Sequence, residues 1–322
     1  MPIVLAWLVR WVGFMALAGL VGSFVMDLVV LPPGTAELAH ERRRLRALRL
    51  TSTGLLLLAG GGDLWLRAGT MSGGGPGIAL QAIPTVLTRT HFGSVWIARM
   101  AGLLALLPLS VAISSRVQSL GALLALATAL TVALTGHAAE WGDVSAAVAV
   151  DCLHVIGAMT WAGGLGTLAV VVLRHAARWP PSLLARVMRR FSRLAAWCLL
   201  SVALSGAYNA WLQVPTVAAL WQTVYGRALA VKVLVVLGIV WWGAVNRYVI
   251  LPRLGSELEP DASTLRSRLV IYVGREAVLA MLVFACTAVL VESPPARHMR
   301  HLEHHMAAPS VTARPAVRAA GR

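Results

Sequence analysis

Residues Ala147–Leu173, AVAVDCLHVIGAMTWAGGLGTLAVVVL, decide the class of fold. The run exceeds the ~20 helical residues needed to cross a hydrocarbon core of about 30 Å. Asp151 and His154 are its only readily charged side chains, and both sit near its start. Inside a bilayer every backbone N–H and C=O must be satisfied by the chain itself, so an apolar run of this length reads as a transmembrane helix.

Runs of the same kind flank it on both sides. Hydropathy windows predict helices near 4–31, 48–66, 94–113, 119–137, 147–173, 192–212, 228–250 and 270–291. The expected architecture is all-α, a polytopic membrane helix bundle of about eight transmembrane helices over residues 1–293, followed by a polar, flexible tail over 294–322. Composition agrees. Hydrophobic residues make up 58% of the 322, charged residues only 13%, and mean hydropathy is +0.75, far from soluble-domain usage. The start, MPIVLAWLVRWVG, has no basic leader region and no A-x-A site, so a retained first helix is expected. Cys152, Cys198 and Cys286 lie in apolar runs without CxxC spacing, which argues against a disulfide framework or a zinc site.

The net charge of +15 comes from arginines and one lysine, Lys232. The arginines cluster between apolar runs and form no single basic face, so nucleic acid is not an expected partner. Sixteen of them fall in the loops after the first, third, fifth and seventh helices, from Arg42 to Arg49, at Arg116, from Arg174 to Arg193 and from Arg247 to Arg268. The alternate loops hold only Arg67, Arg89 and Arg227. Positive-inside asymmetry puts the arginine-rich loops in the cytoplasm and both termini outside. The segment 67–93 reads as the only long outer loop, and Pro-Pro at 32–33, 180–181 and 294–295 as helix exits.

Ionisable residues inside a bilayer are costly and usually face the bundle interior. On this topology Asp63, His91, His137, Glu140, Asp143, Asp151 and His154 all gather at the outer ends of helices two to five, with Arg99 a turn deeper. The i, i+3 spacing of Asp151 and His154 puts carboxylate and imidazole on one helical face, continued inward by Ala158 and Trp161. Two imidazoles with a carboxylate suit copper, with zinc or iron as alternatives, and thioethers nearby favour its cuprous state. The candidate metal ligands are His137, His154, Asp151, His91, Met159 and Met100, with Met71 also near. The competing reading is that His137 and His154 only hydrogen-bond across helices and hold the bundle together. Asp27, Asp63, Arg99, Lys232 and Glu276 read as structural or coupling charges. The tail motif HMRHLEHHM, residues 298–306, offers His298, Met299, His301, His304, His305 and Met306 as a flexible second metal-capture site. No Walker loop, GxSxG or HExxH is present, so ATP-driven pumping and familiar hydrolysis have no motif, and an enzyme is not expected.

The segments TGHAAEWG (135–142), DCLHVIGAMTWAGGL (151–165), FSRLA (191–195), SGAYNAW (205–211), YGRALAVKV (225–233) and NRYVILPRL (246–254) resemble the CopD family. FGSVWIARM (92–100) is similar to the family's third helix, and the resemblance is most specific over about 92–295. CopD proteins are the membrane component of bacterial copper resistance and uptake systems. The resemblance implies a multi-pass inner-membrane protein that moves copper ions, Cu+ or Cu2+, alongside a periplasmic CopC-like copper-binding partner. Two other readings stay open: a haem-binding membrane oxidoreductase with His137 and His154 as axial ligands, and a copper sensor or scaffold that does not transport.

Overall fold

The computed structural model describes residues 3–73, 75–174, 179–253 and 262–297. They form ten α-helices: α1 (Ile3–Val25), α2 (Ala39–Ser72), α3 (Pro76–Arg89), α4 (His91–Ser110), α5 (Ser115–Leu130), α6 (Ala146–Thr167), α7 (Pro181–Gln213), α8 (Ala219–Gln222), α9 (Val224–Val245) and α10 (Ala262–Glu292). No strand occurs among the described residues. The predicted all-α membrane bundle is therefore the observed architecture.

Among the described residues seven segments are long and apolar enough to cross a membrane: Ile3–Val30, His91–Ser110, Ser115–Thr135, Ala146–Val172, Pro181–Gln213, Val224–Ile250 and Thr264–Glu292. The eighth expected span, 48–66, lies inside α2 but falls short of that composition. Its leucines are diluted by Ser52, Thr53, Gly60, Gly61, Gly62 and Asp63. Ser52, Thr53 and Asp63 are buried, as is Arg49, so α2 keeps its polar side chains inside the bundle.

Helices α2, α7 and α10 span 34, 33 and 31 residues. At 1.5 Å per residue they exceed the bilayer core, so the arginines expected in loops at 42–49 and 186–193 stand on helical extensions, where arginine is a good helix former. Two other expectations need correcting. The segment 67–93 is no open loop: α2 runs on to Ser72, Gly73 closes it in the left-handed region (φ 63°), and α3 packs Val86 against Leu64, Ala68 and Phe92. Pro180–Pro181 opens a helix instead of ending one, with Pro181 at the first helical position of α7, where its missing N–H costs nothing.

Three helix starts share one device. Thr90, Ser145 and Thr223 cap α4, α6 and α9 by accepting from the backbone N–H three residues on, at 3.0, 3.2 and 2.9 Å.

Helices α1 and α6 form the buried centre, with α2, α5 and α10 around α1 and α7 on α6. Their approach explains the glycines of the TWAGGL run. A Cβ on Gly163 would lie 2.1 Å from Ala18 O, and one on Gly22 would lie 2.2 Å from the Gly163 carbonyl. The two backbones are in contact, the small-residue solution to helix packing in lipid. This contact fixes α6, and with it Asp151 and His154.

Candidate metal centre

A cavity of about 780 Å³ opens among α1, α2, α6, α7, α9 and α10, and its lining includes Arg10, Asp63, Arg99, His137, Asp151, His154, Met159 and Lys232. Most of the remaining wall is apolar. Of the six predicted ligands, four line this one space: His137, Asp151, His154 and Met159.

The two α6 residues are held by α7. Asn209 Nδ2 donates to Asp151 Oδ1 at 2.7 Å, and His154 Nδ1 lies 3.1 Å from Ser205 Oγ. Ser205 spends its own proton on Ser201 O at 2.6 Å. With that proton committed, Ser205 Oγ accepts from Nδ1–H in the tautomer whose lone pair sits on Nε2. Between these partners, Gly206 makes room for the imidazole: a Cβ there would stand 3.1 Å from His154 Cε1. The SGAYN segment thus reads as a cradle, its Ser and Asn spaced i, i+4 to meet Asp and His spaced i, i+3 on the antiparallel neighbour. Outer-sphere partners of this kind fix the tautomer and orientation of metal ligands.

His137 behaves differently. The expected helix end at 137 is replaced by a 3-10 turn, His137–Trp141, after α5 stops at Leu130. Its Nε2 lies 3.2 Å from Leu290 O and its Nδ1 3.3 Å from Glu140 Oε1. Both ring nitrogens face acceptor oxygens, so ligation requires one of these contacts to give way. Glu140 also binds Arg297 at 2.6 Å, and Arg297 stacks 5.1 Å over Trp141. Burial raises the Glu140 carboxyl, but the hydrogen bonds from Arg297 and His137 outweigh it and hold the group below its ordinary range. The turn is clasped to the end of α10.

His91 and Met100 lie outside the cavity lining. His91 is exposed and contacts Leu134 O at 3.1 Å and Asp143 at 3.5 Å. Met100 is buried against α2, its Cε 2.5 Å from where a Cβ on Gly60 would stand. The tail ligands His298 to Met306 lie outside the described residues, directly after the clasped Arg297. Among the described residues no three His, Cys, Asp or Glu side chains converge, so the strong donors offered to an ion are the Asp151 carboxylate and His154 Nε2, with the Met159 thioether as a soft neighbour.

The predicted intramembrane charges resolve mostly into pairs. Asp27 bonds Arg42 and, at 2.7 Å, Arg49. Glu276 accepts from Asn246. Asp63 pairs with Arg10 at 2.9 Å, and Arg10 reaches Glu292 at 2.7 Å. Arg99 donates to Thr131 Oγ1 at 2.7 Å and Thr131 O at 2.9 Å. Sequence reasoning passed over Arg10, although it is the sole cation in the first apolar run, and over Ser205, Asn209, Tyr225 and Gln213, whose signal was their place in the SGAYNAW and YGRALAVKV segments or beside them.

Comparison with known proteins points the same way. The family model described as copper resistance protein D matches residues 185–290, and its companion, copper resistance protein D-like, N-terminal domain, matches residues 1–145. All of α6 lies between the two matched stretches. The chain is 32% identical over 234 residues to "Copper transport protein CutJ" of Bacillus subtilis (strain 168), an alignment covering 69% of this chain and 42% of that protein. It is also 29% identical over 252 residues to "Inner membrane protein YebZ" of Escherichia coli (strain K12), covering 76% of this chain and 84% of that protein. The chain thus spans less than half the length of the Bacillus relative. No solved structure matches.

Proposed function

Because the chain belongs to the copper resistance protein D family, we propose that it is a multi-pass protein of the bacterial inner membrane that takes copper into the α6–α7 cavity and moves it through the bundle. The observation that carries the reading is the cradle: Ser205 and Asn209 hold His154 and Asp151, an imidazole and a carboxylate that line one cavity. An imidazole and a carboxylate with a thioether beside them suit a copper ion. Met159 also lines the cavity, about one and a half turns further along α6. His137, Glu140 and Arg297 close the end at which the ion enters, taken as the periplasmic end from the arginine asymmetry. In this reading the His/Met tail that follows Arg297 collects copper, and a separate CopC-like protein delivers it.

The test is copper stoichiometry and flux. Purified protein is titrated with Cu+ and Cu2+, and proteoliposomes are assayed for copper uptake with and without reductant. Asp151→Ala and His154→Ala should each remove one bound ion and abolish flux while the protein stays folded. Unchanged stoichiometry in both variants overturns the assignment.

A second reading is favoured by one feature of the same cavity. It is large and mostly apolar, with Arg10, Arg99 and Lys232 in its lining, a composition that fits a flat acidic group such as haem, which His137 and His154 of the same lining would hold. An absorption spectrum of the purified protein decides: a Soret band that His154→Ala removes selects haem, and its absence rules this second reading out.

A further inference from the structure

Lys232 is the chain's single lysine, and it stands in the cavity wall on α9, across from the Asp151 and His154 of α6. The other cations there are engaged, Arg10 by Asp63 and Glu292, Arg99 by Thr131 and Thr135. No hydrogen bond or ion pair within 4 Å holds the Lys232 ammonium among the described residues, yet it and Asp151 lie close enough to feel each other's charge. Asp151 for its part has one oxygen tied to Asn209, and among the described residues no hydrogen bond holds the other. A cation in a membrane span is expensive unless it serves an anion, and one beside a site that takes cations weakens that site. A purely structural ammonium would be bonded to its carboxylate, and a site built only for tight capture would exclude it.

We propose that Lys232 is the resident counter-cation of the copper site: its ammonium balances Asp151 while the site is empty, swings away when the ion enters, and returns as the ion leaves. The proposal rests on the copper reading above. Lysine suits the role, since its compact charge rides on a flexible four-carbon stem and can move several ångström without disturbing α9. The consequence is a site whose affinity is held down by an internal competitor, as transport requires, because an ion bound without competition is slow to leave.

The experiment compares copper affinity, release rate and flux for wild type, Lys232→Leu, Lys232→Gln and Lys232→Arg, with thermal unfolding of each. A unit charge a few ångström from an ion at an effective dielectric of about 20 changes affinity by roughly tenfold or more. The neutral variants should therefore bind the same number of ions at least about tenfold more tightly, release them more slowly and carry less copper. Lys232→Arg should stay near wild type in affinity. A merely structural lysine gives the opposite sign, lower stability and equal or weaker binding. If either neutral variant folds and binds copper no more tightly than wild type, the counter-cation is overturned. If wild type itself binds no copper, or binds it unaffected by His154→Ala, the copper reading fails instead.

Discussion

Ser205→Ala deletes one hydroxyl, and its effect follows from two distances. Ser205 Oγ lies 3.1 Å from His154 Nδ1 and donates to Ser201 O at 2.6 Å. In the variant, Ser201 O loses only a second hydrogen bond, whereas His154 loses the acceptor that fixes its tautomer and ring angle. Polar contacts between membrane helices are worth about 0.6 kcal/mol on average and at most ~1.7, so stability should fall by about 1 kcal/mol. Loss of an outer-sphere partner typically costs ten- to a hundredfold in metal affinity, which is about 1.4–2.7 kcal/mol. Binding should therefore suffer more than folding. Copper affinity is read by competition with a chelator in detergent, and stability by thermal unfolding of the same preparation. Asn209→Ala should weaken binding by a similar factor, through the 2.7 Å contact to Asp151. The control is a double-mutant cycle on thermal stability: on a His154→Ala background, Ser205→Ala should cost less than about half of what it costs in wild type. An equal loss on both backgrounds, or wild-type affinity in the single variant, refutes the cradle.

Gly163→Leu should prevent assembly, because its Cβ would fall 2.1 Å from Ala18 O, a backbone atom that cannot move aside. Overpacking at such a contact costs about 3 kcal/mol or more, read as loss of cooperative unfolding, and a stable Gly163→Leu variant contradicts the α1–α6 contact. The Glu140–Arg297 clasp should depend on pH with a defined sign. The carboxyl is held below its ordinary value of 4.5, so its contribution is present above that value and is lost as pH falls through the depressed one. Acidification below about pH 4.5 should therefore loosen Arg297 from Trp141, seen as a change in tryptophan emission that Glu140→Gln abolishes. A wild-type acid response that Glu140→Gln leaves unchanged counts against the clasp.

How much of this was legible in the sequence depends on which physical signal carried it. Apolar length carried the spans well, because lipid leaves the backbone few options. It was weakest for α2, where Asp63 and the glycines lower hydropathy although the predicted 48–66 helix is there and packs on α1, and it missed α3, whose 14 residues are too short for a span. Arginine clusters marked one end of the bundle but concealed the helical extensions of α2 and α7, since charge says where the membrane stops and not where the helix does. Asp151 and His154 were legible because i, i+3 spacing is a local fact. Their cradle on α7 was not, because pairing Ser205 with His154 and Asn209 with Asp151 takes the register of two helices, which no single-helix pattern contains.

The same limit explains why His137 and His154 looked equivalent and are not. Both are histidines near one end of an apolar run, and sequence alone offers no reason to rank them. Packing ranks them by what their nitrogens face. His154 lines the cavity with one nitrogen against a side chain whose proton is already committed, and no acceptor stands opposite the other among the described residues. His137 has a carbonyl on one side and a carboxylate on the other, and the carboxylate is shared with Arg297. One is built to keep a lone pair available. The other is built to hold the end of α10 against the mouth of the cavity, so an ion that drew on His137 would have to open the clasp as it entered. That ordering makes the two alanine variants distinguishable: His154→Ala should remove the bound ion at any exposure time, whereas His137→Ala should leave the cavity site filled and change how fast it fills.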